Sequence, residues 1–256
     1  AVYAAQAKKI PTVLHEQNAV VGRANALLAR KAAHIALSLV NPKPLAGVDS
    51  VRCVLTGNPV RADIVALRDK SYPAFTDKLH IFVMGGSLGA TVFSEVVPAA
   101  LAQLPLEQRV RLDVTQQCRA ADLESARAIY KEAGILARLE PFIDDVPAVL
   151  ARSHLVISRS GASTVAEVTV AGRPAIFVPY PFHRDQQQKV NAESVAREGG
   201  AWMIEQSAFT PAALMPRIAE FLQNPQILSS AAAAAHKCGR PDAAHHLADL
   251  VVASTA

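Results

Sequence analysis

The sequence predicts an α/β protein in which a parallel sheet is covered by helices on both faces. Strand-like segments and segments with helical periodicity alternate along the 256 residues. The strand-like segments are rich in Val, Ile and Leu and lack clean polar alternation, as expected for strands buried on both sides. Hydrophobic residues make up 51% and charged residues 19% of the chain, a balance that excludes a disordered protein.

Nine segments are predicted as strands: residues 12–15, 34–38, 51–56, 80–84, 111–115, 138–142, 155–158, 175–179 and 201–205. Helical patterns lie between many of them, at residues 22–32, 90–103, 120–133, 147–153, 187–198 and 211–223, and the alanine-rich segment 225–256 is also predicted as helical.

Residues 69–77 are charged, contain Pro73 and lack periodicity. We therefore predict a first domain at residues 1–68, a linker at 69–78 and a second domain at 79–256. The final helix of the second domain is expected to pack back on the first.

Charge and cysteine content restrict the class of function. The net charge of +4 favours an anionic ligand or an anionic membrane surface, but the positive charges are scattered and do not predict nucleic-acid binding. Cys53, Cys118 and Cys238 form no close pair, which excludes a disulfide scaffold and a CxxC metal site, and we expect them to be buried as hydrophobic residues. The histidines have no ligand-type spacing, so no metal site is predicted.

The segment 155–188 is the most informative part of the chain. A predicted strand leads into small residues at 159–164, and a helix then opens at Thr164. Such a turn lets a phosphate approach the free N–H groups of a helix N-terminus. Glu167, predicted in the first turn, can accept two hydrogen bonds from a ribose diol, and the glutamines 186–188 suit sugar hydroxyls. The alternative is an ordinary connection in which Glu167 only stabilises the helix dipole.

A second glycine turn, Gly85-Gly86-Ser87, follows the strand 80–84 and can also admit a phosphate. It lacks the Gly-Lys-Ser/Thr ending of a Walker loop. A dinucleotide site needs an acid at the end of the next strand, whereas Asp113 lies in the middle of that strand. The alternative here is a tight turn without a ligand.

Polar residues also follow two strands of the first domain, at the sheet edge where α/β proteins bind ligands. Residues 15–18 (HEQN) follow one strand, and residues 57–61 (GNPVR) follow another. Pro59 is predicted as the first residue of a helix, which would place Arg61 in a first turn near a phosphate. The alternatives are a cap role for Asn18 and a surface role for Arg61. Further along, Asp144 or Asp145 is expected to cap a helix.

Six motifs occur in one order: HEQNA, GNPVR, GGSLGA, FIDD, RSGASTVAE and DQQQKVNA. In this order they resemble the MurG family, the UDP-N-acetylglucosamine:undecaprenyl-pyrophosphoryl-N-acetylmuramyl-pentapeptide N-acetylglucosaminyltransferases, nearly from end to end. The resemblance implies a GT-B fold of two Rossmann-like, doubly wound parallel-sheet domains facing a cleft, with the first domain truncated here. It also implies inverting transfer of N-acetylglucosamine from UDP-N-acetylglucosamine to the 4-hydroxyl of the N-acetylmuramyl unit of lipid I, which gives lipid II for peptidoglycan.

The resemblance also implies roles for individual residues. Ser87 and the neighbouring glycine backbone would hold the diphosphate, Asn18 and Arg61 would reach the donor from across the cleft, and the backbone at Ile143 would read the uracil. A phosphate and ribose site is implied for Ala162, Ser163, Thr164, Val165, Ala166 and Glu167. Gln187 and Gln188 would bind the hydroxyls of the sugar.

The partners implied are UDP-N-acetylglucosamine, lipid I and the anionic cytoplasmic surface of a bacterial inner membrane, where the protein would be peripheral; no cofactor and no nucleic acid are expected. The family's first glycine-rich loop, with its histidine, is expected upstream of Ala1. This chain would then lack most of the acceptor domain, and no catalytic base is assigned within it. Two alternatives remain: another GT-B enzyme such as a UDP-sugar 2-epimerase, and a UDP-sugar-binding module without activity.

Overall fold

The computed structural model of the protein describes residues 1–40, 47–86 and 90–254. They contain two sheets in which every strand pair is parallel. The first sheet has the order β1-β2-β3, and its strands are Val13–Glu16, His34–Leu37 and Cys53–Leu55. The second has the order β6-β5-β4-β7-β8-β9, and its strands β4 to β9 are Leu79–Met84, Leu112–Gln117, Leu136–Glu140, Leu155–Ser158, Ala175–Phe177 and Ala201–Met203. The predicted α/β class is confirmed, and each predicted strand has a counterpart.

The second sheet has a topological switch point between β4 and β7. The chain runs from β4 outward through β5 to β6, then returns to β7 and continues through β8 to β9 on the other side. In open α/β sheets, the crevice outside the carboxyl ends of two such strands is where ligands bind. The turn at Gly85–Gly86 leaves β4 at this edge, and the turn at Ser160–Gly161 leaves β7 beside it.

Helices cover both faces of the second sheet. Helices α1 to α3 are Val2–Ala7, Arg23–Leu28 and Ala62–Val65, and helices α4 to α12 are Thr91–Ala102, Leu106–Arg109, Leu123–Glu132, Val146–Arg152, Ala162–Val170, Gln187–Ala196, Pro211–Gln223, Gln226–Cys238 and Ala243–Ala253. Because successive strand residues point to opposite faces, Ile81 packs with α4, α6 and α10 while Phe82 packs with α8 and α9. This two-sided packing explains the continuous apolar runs in the sequence.

The end of the chain returns to the first sheet. Helix α12 packs against β2, and Ser254 lies within hydrogen-bond distance of His34, with Oγ 2.9 Å from Nδ1. Gly57, which follows β3, has φ +89°, and a Cβ there would lie 2.9 Å from the Cβ atoms of Ala243 and Arg240. A glycine is therefore needed for both its backbone conformation and its close approach to the C-terminal segment.

The predicted helix start at Pro59 is wrong, and so is the alternative in which Asn18 caps a helix. Pro59 does not open a helix, because α3 begins only at Ala62, with Arg61 extended at its N-cap (φ −58°, ψ 142°). Asn18 caps no helix, since α2 begins at Arg23 after an extended Gly22. In both cases the polar segment after the strand continues as a loop for several residues before helical dihedral angles begin.

The predictions for smaller features have mixed outcomes. Asp145 caps α7 as predicted, because its carboxylate accepts a hydrogen bond from the Ala148 N–H at 2.9 Å. Cys118 is buried, but Cys53 and Cys238 are only partly buried, so the expectation for those two was wrong. Cys53 begins β3 and Cys238 ends α11, and each packs against a hydrophobic cluster without being fully covered by it.

Candidate functional site

The start of helix α8 presents free backbone donors. Strand β7 is buried throughout, Gly161 is extended (φ −61°, ψ 150°), and helical dihedral angles begin at Ala162. The first bond of the helical ladder runs from the Val165 N–H to the Gly161 carbonyl at 2.9 Å. Among the described residues, no side chain caps the N–H groups of the three residues before it. With the helix dipole, these groups form a site that favours an anion.

Glu167 lies in the second turn of α8, and its predicted place in the first turn is wrong. The prediction opened the helix at Thr164, whereas Ala162 and Ser163 are already helical. The effect of the helix dipole falls off within the first turn. The structure therefore gives little support to the alternative in which Glu167 only stabilises that dipole.

The Glu167 carboxylate instead faces Arg61 across the cleft. Arg61 Nε lies 3.3 Å from Glu167 Oε1, and the Arg61 side chain is 50% exposed. Partial burial raises the pKa of Glu167, and the Arg61 charge opposes that shift. An ion pair so open to solvent is weak, and a ligand can replace it.

Gln187 and Gln188 open helix α9, and both already contact the preceding loop. Gln188 Oε1 accepts a hydrogen bond from the Tyr180 N–H at 3.0 Å, and Gln187 Nε2 lies 2.9 Å from His183 Nδ1. Since the Tyr180 N–H can only donate, the Gln188 oxygen must face it. Gln188 Nε2 then has no protein acceptor within the described part of the chain and can donate to a hydroxyl.

The structure describes most of the other predicted site residues, but not all of them. Gly86 is exposed with φ +85°, a conformation that favours glycine, whereas Ser87 lies outside the described residues. Ile143 is only 7% exposed and packs in the same hydrophobic cluster as Val165 of α8. Val165 is buried and its N–H is bonded within the helix, so it contributes apolar surface rather than a hydrogen bond.

Glu16 is one of three positioning groups whose roles the sequence did not reveal. It is buried at the end of β1, and its carboxylate accepts from the N–H groups of Asn18 and Gly22, at 3.1 and 2.8 Å, and from Asn25 Nδ2 at 3.0 Å. These bonds fix the loop that carries Asn18. The sequence signal for this role of Glu16 lay in the HEQNA motif, where a charged residue ends an apolar strand.

Arg159 and Asn191 are the other two positioning groups. Arg159 donates to the Val178 and Pro179 carbonyls, at 3.0 and 3.1 Å, and burial lowers its pKa. Asn191 is fully buried and bonds to both halves of the molecule. Both lie inside motifs that the resemblance used, RSGASTVAE and DQQQKVNA, but nothing local distinguishes them from their neighbours.

A cavity of about 460 Å³ lies between the two sheets. Its walls come from the segments after β1, β2 and β3 and from helices α8, α9 and α11, and they include Ala162 and Ala166. Across residues 1–40, 47–86 and 90–254, no cluster of His, Cys, Asp and Glu is arranged to hold a metal ion. None of the helices described combines the length and the apolar character needed to cross a bilayer.

Comparison with known proteins defines the class. Residues 80–247 match the glycosyltransferase family 28 C-terminal domain. The chain is 52% identical over 254 residues to the UDP-N-acetylglucosamine–N-acetylmuramyl-(pentapeptide) pyrophosphoryl-undecaprenol N-acetylglucosamine transferase of Rhodospirillum centenum, covering 98% of this chain and 67% of that protein. It is 50% identical over 245 residues to the protein of the same name from Paramagnetospirillum magneticum, covering 95% and 66%.

Solved structures agree with that class. Acinetobacter baumannii MurG superposes with a TM-score of 0.81 at 34% identity, covering 98% of this chain and 70% of that one. The chain belongs to the MurG family, and it spans about two thirds of the length of the curated relatives. A UDP-GlcNAc 2-epimerase from Neisseria meningitidis gives a TM-score of 0.66 at 15% identity, covering 99% and 72%, which shows a shared fold alone.

Proposed function

We propose that this protein binds UDP-N-acetylglucosamine and transfers its N-acetylglucosamine to the 4-hydroxyl of the N-acetylmuramyl unit of lipid I. The observation that carries the proposal is the convergence of three kinds of group at the carboxyl edge of the second sheet. The start of α8 offers backbone N–H donors, Glu167 faces Arg61 at 3.3 Å, and Gln188 offers a free amide nitrogen. The relatives at 50% identity or more carry this activity in their names.

Each group suits one part of a nucleotide sugar. A diphosphate is an acceptor of hydrogen bonds and an anion, which matches helix N–H groups and a guanidinium. A ribose diol is a pair of donors, which matches the Glu167 carboxylate. Sugar hydroxyls donate and accept, which matches the two glutamines. The role of Ser87 on the diphosphate and that of the Ile143 backbone on the uracil rest on the family resemblance.

The reaction we propose is a direct displacement. The 4-hydroxyl oxygen of the acceptor attacks the anomeric carbon from the face opposite UDP, the bond from that carbon to the diphosphate oxygen breaks, and a base takes the hydroxyl proton. UDP leaves with an added negative charge. The N–H groups of α8 and the guanidinium of Arg61 are placed to stabilise that charge. We assign no base among the described residues.

The domain division and the cellular site follow as proposals of the same kind. The first sheet, with residues 1–68, would contribute the acceptor side, and residues 79–256 would form the donor domain beyond a linker at 69–78. Residues 69–78 form no helix or strand. A net charge of +4 supports an approach to an anionic cytoplasmic membrane surface, where a lipid-linked acceptor lies.

Calorimetry with UDP-N-acetylglucosamine tests the donor half of the proposal. We expect saturable binding with one site per chain, and weaker binding of the same sugar carried on a nucleotide that lacks the ribose hydroxyls. A sample with the circular dichroism and cooperative unfolding of a folded protein that binds neither ligand would refute it.

A chimera tests the transfer half. This chain would replace the matching two thirds of the Rhodospirillum centenum relative, to which it is 52% identical, and labelled N-acetylglucosamine would be followed into a lipid I analogue. We expect product, and the same chimera with Glu167→Ala is the matched control. A folded chimera that binds UDP-N-acetylglucosamine and forms no product would contradict the assignment of the reaction.

A further inference from the structure

Asn191 joins the two halves of the molecule. It lies on α9, which packs on the second sheet, and its side chain is fully buried. Its Oδ1 accepts from the Ala19 N–H at 2.8 Å, and its Nδ2 donates to Asn18 Oδ1 at 3.0 Å and to the Ser160 carbonyl at 3.1 Å. Asn18 and Ala19 belong to the loop after β1, whereas Ser160 belongs to the turn before α8. One amide therefore connects the first sheet to two segments of the donor half.

The partners of Asn191 fix the orientation of its amide without ambiguity. The Ala19 N–H can only donate, so it must meet the Asn191 oxygen, and the Ser160 carbonyl can only accept, so it must meet the nitrogen. The second hydrogen on Asn191 Nδ2 then points at Asn18 and requires an acceptor there. Asn18 must accordingly present its oxygen to Asn191.

This orientation determines what Asn18 can offer a ligand. With its oxygen engaged, Asn18 Nδ2 is left without an acceptor among the residues described, and the side chain is partly exposed. Were the amide turned the other way, an oxygen would face the cleft and repel the oxygens of a diphosphate.

We propose that Asn191 is a positioning residue that latches the loop after β1 to the donor half and thereby holds Asn18 with its Nδ2 as a hydrogen-bond donor to an oxygen of the bound nucleotide sugar. The inference rests on the proposed function, because it names a nucleotide sugar as the ligand. It adds a role for Asn191 that is distinct from direct contact with the substrate. The same latch aligns the phosphate turn with the sugar-binding helix, since the Ser160 hydroxyl donates to the Gln188 carbonyl at 2.8 Å.

A double-mutant cycle separates action through Asn18 from independent action. Dissociation constants for UDP-N-acetylglucosamine would be measured for the wild-type chain, Asn18→Ala, Asn191→Ala and the double variant. We expect each single change to weaken binding about tenfold, which corresponds to about 1.4 kcal/mol, and the double variant to be within about twofold of the single ones. Asn191→Ala with wild-type affinity, or a double variant near a hundredfold weaker, would overturn the proposal.

Asn18→Asp keeps the test decisive if Asn191→Ala fails to fold. A carboxylate at that position still accepts from Asn191 but offers no donor to the ligand. We expect the thermal midpoint of the ligand-free protein to stay near that of the wild type and the affinity to fall at least tenfold. The exposed Asn224, changed to Asp, controls for the added charge. Wild-type affinity in Asn18→Asp would overturn the proposal.

Failure of the proposed function would give a different experimental result from failure of the Asn191 latch. If the wild-type chain binds no UDP-N-acetylglucosamine, thermal unfolding of the ligand-free cycle still decides the latch. Destabilisations by Asn18→Ala and Asn191→Ala that are clearly non-additive support the latch, and additive ones overturn it.

Discussion

Replacing Glu167 with alanine is expected to weaken UDP binding about 2- to 100-fold. Hydrogen bonds to a charged group contribute about 1.5–3 kcal/mol. In the ligand-free protein the same carboxylate is paired with Arg61 at 3.3 Å, and an ion pair whose guanidinium is 50% exposed contributes only about 0.2–1 kcal/mol. Since the ribose must replace this pair, the net loss is about 0.5–2.8 kcal/mol, which gives the stated range.

Calorimetry with two ligands separates a binding role for Glu167 from a structural one. The loss should be large for UDP and should nearly vanish for 2′,3′-dideoxy-UDP, which has no ribose hydroxyls. Glu193→Ala is the matched control, because it removes a carboxylate from an exposed ion pair on α9, 3.1 Å from Arg197. Equal losses for the two nucleotides in Glu167→Ala would show that the carboxylate only supports the fold, and the reasoning would be refuted.

The pH dependence of UDP binding provides an independent check. Burial raises the pKa of Glu167 above its usual 4.5, and a protonated carboxyl accepts hydroxyl bonds poorly. UDP affinity should therefore begin to fall at a higher pH than for an ordinary glutamate, and this step should be missing in Glu167→Ala. The sign for stability is opposite: because the folded pKa lies above the unfolded one, ionisation lowers the free energy of unfolding as the pH rises.

Three further predictions concern the turn, the core and a buried histidine. Gly161→Ala should leave the thermal midpoint nearly unchanged, since a Cβ there meets nothing within 4 Å, but should weaken UDP binding more than about tenfold by occupying the phosphate site; unaltered binding would exclude that site. Arg173→Met should lower the free energy of unfolding in urea by about 3 kcal/mol, because the buried guanidinium donates to four backbone carbonyls that would lose their partner; a loss below about 1 kcal/mol would contradict this. Burial lowers the pKa of His154 from 6.5, so the free energy of unfolding should fall as the pH drops below about 6.5. The fall should be less steep in His154→Gln, and the part that remains is attributed to the buried His15, whose pKa is also lowered. Equal slopes for the wild type and His154→Gln would contradict this prediction.

Local sequence signals were sufficient for the sheet and the main turns. Each predicted strand has a counterpart because apolar β-branched runs between turn residues depend on few competing interactions. Helix α10 has the predicted bounds, since Thr210 caps it and Pro211 suits its first position. The turn at Gly161 was also predicted, because small residues between a strand and a helix leave little choice of conformation.

Helix starts were less predictable where several small residues follow one another. Ala162, Ser163 and Thr164 can each begin a helix, and their intrinsic propensities differ by only a few tenths of a kcal/mol. The extended Gly161 decides the start, which moves Glu167 from the first turn to the second. The prediction for residues 57–61 was wrong for a related reason. Gly57 has φ +89° and lies so close to Arg240 and Ala243 that a Cβ would clash with them, a contact far along the chain that no local pattern shows.

Contacts between the two halves lie beyond any local signal. Asn191 bonds to residues 172 and 173 positions earlier in the sequence, and Arg61 meets Glu167 over 106 positions. The occurrence of six motifs in one order brought the segments that contain these residues into consideration through the family resemblance, but only the tertiary structure shows which of the residues meet.

The two contacts between the halves differ in burial, and this difference separates their roles. The Arg61–Glu167 pair is exposed, so its loss costs little and a ligand can exchange it for bonds to phosphate and ribose. The Asn191 side chain is buried, where an unsatisfied amide or carbonyl costs about 1–3 kcal/mol, so we expect its bonds to persist when the ligand binds. Under the proposed function, we expect ligand binding to rearrange the exposed pair while the buried latch keeps both walls of the cleft in register. On this reasoning a nucleotide sugar would bind without the cost of first bringing the two halves together.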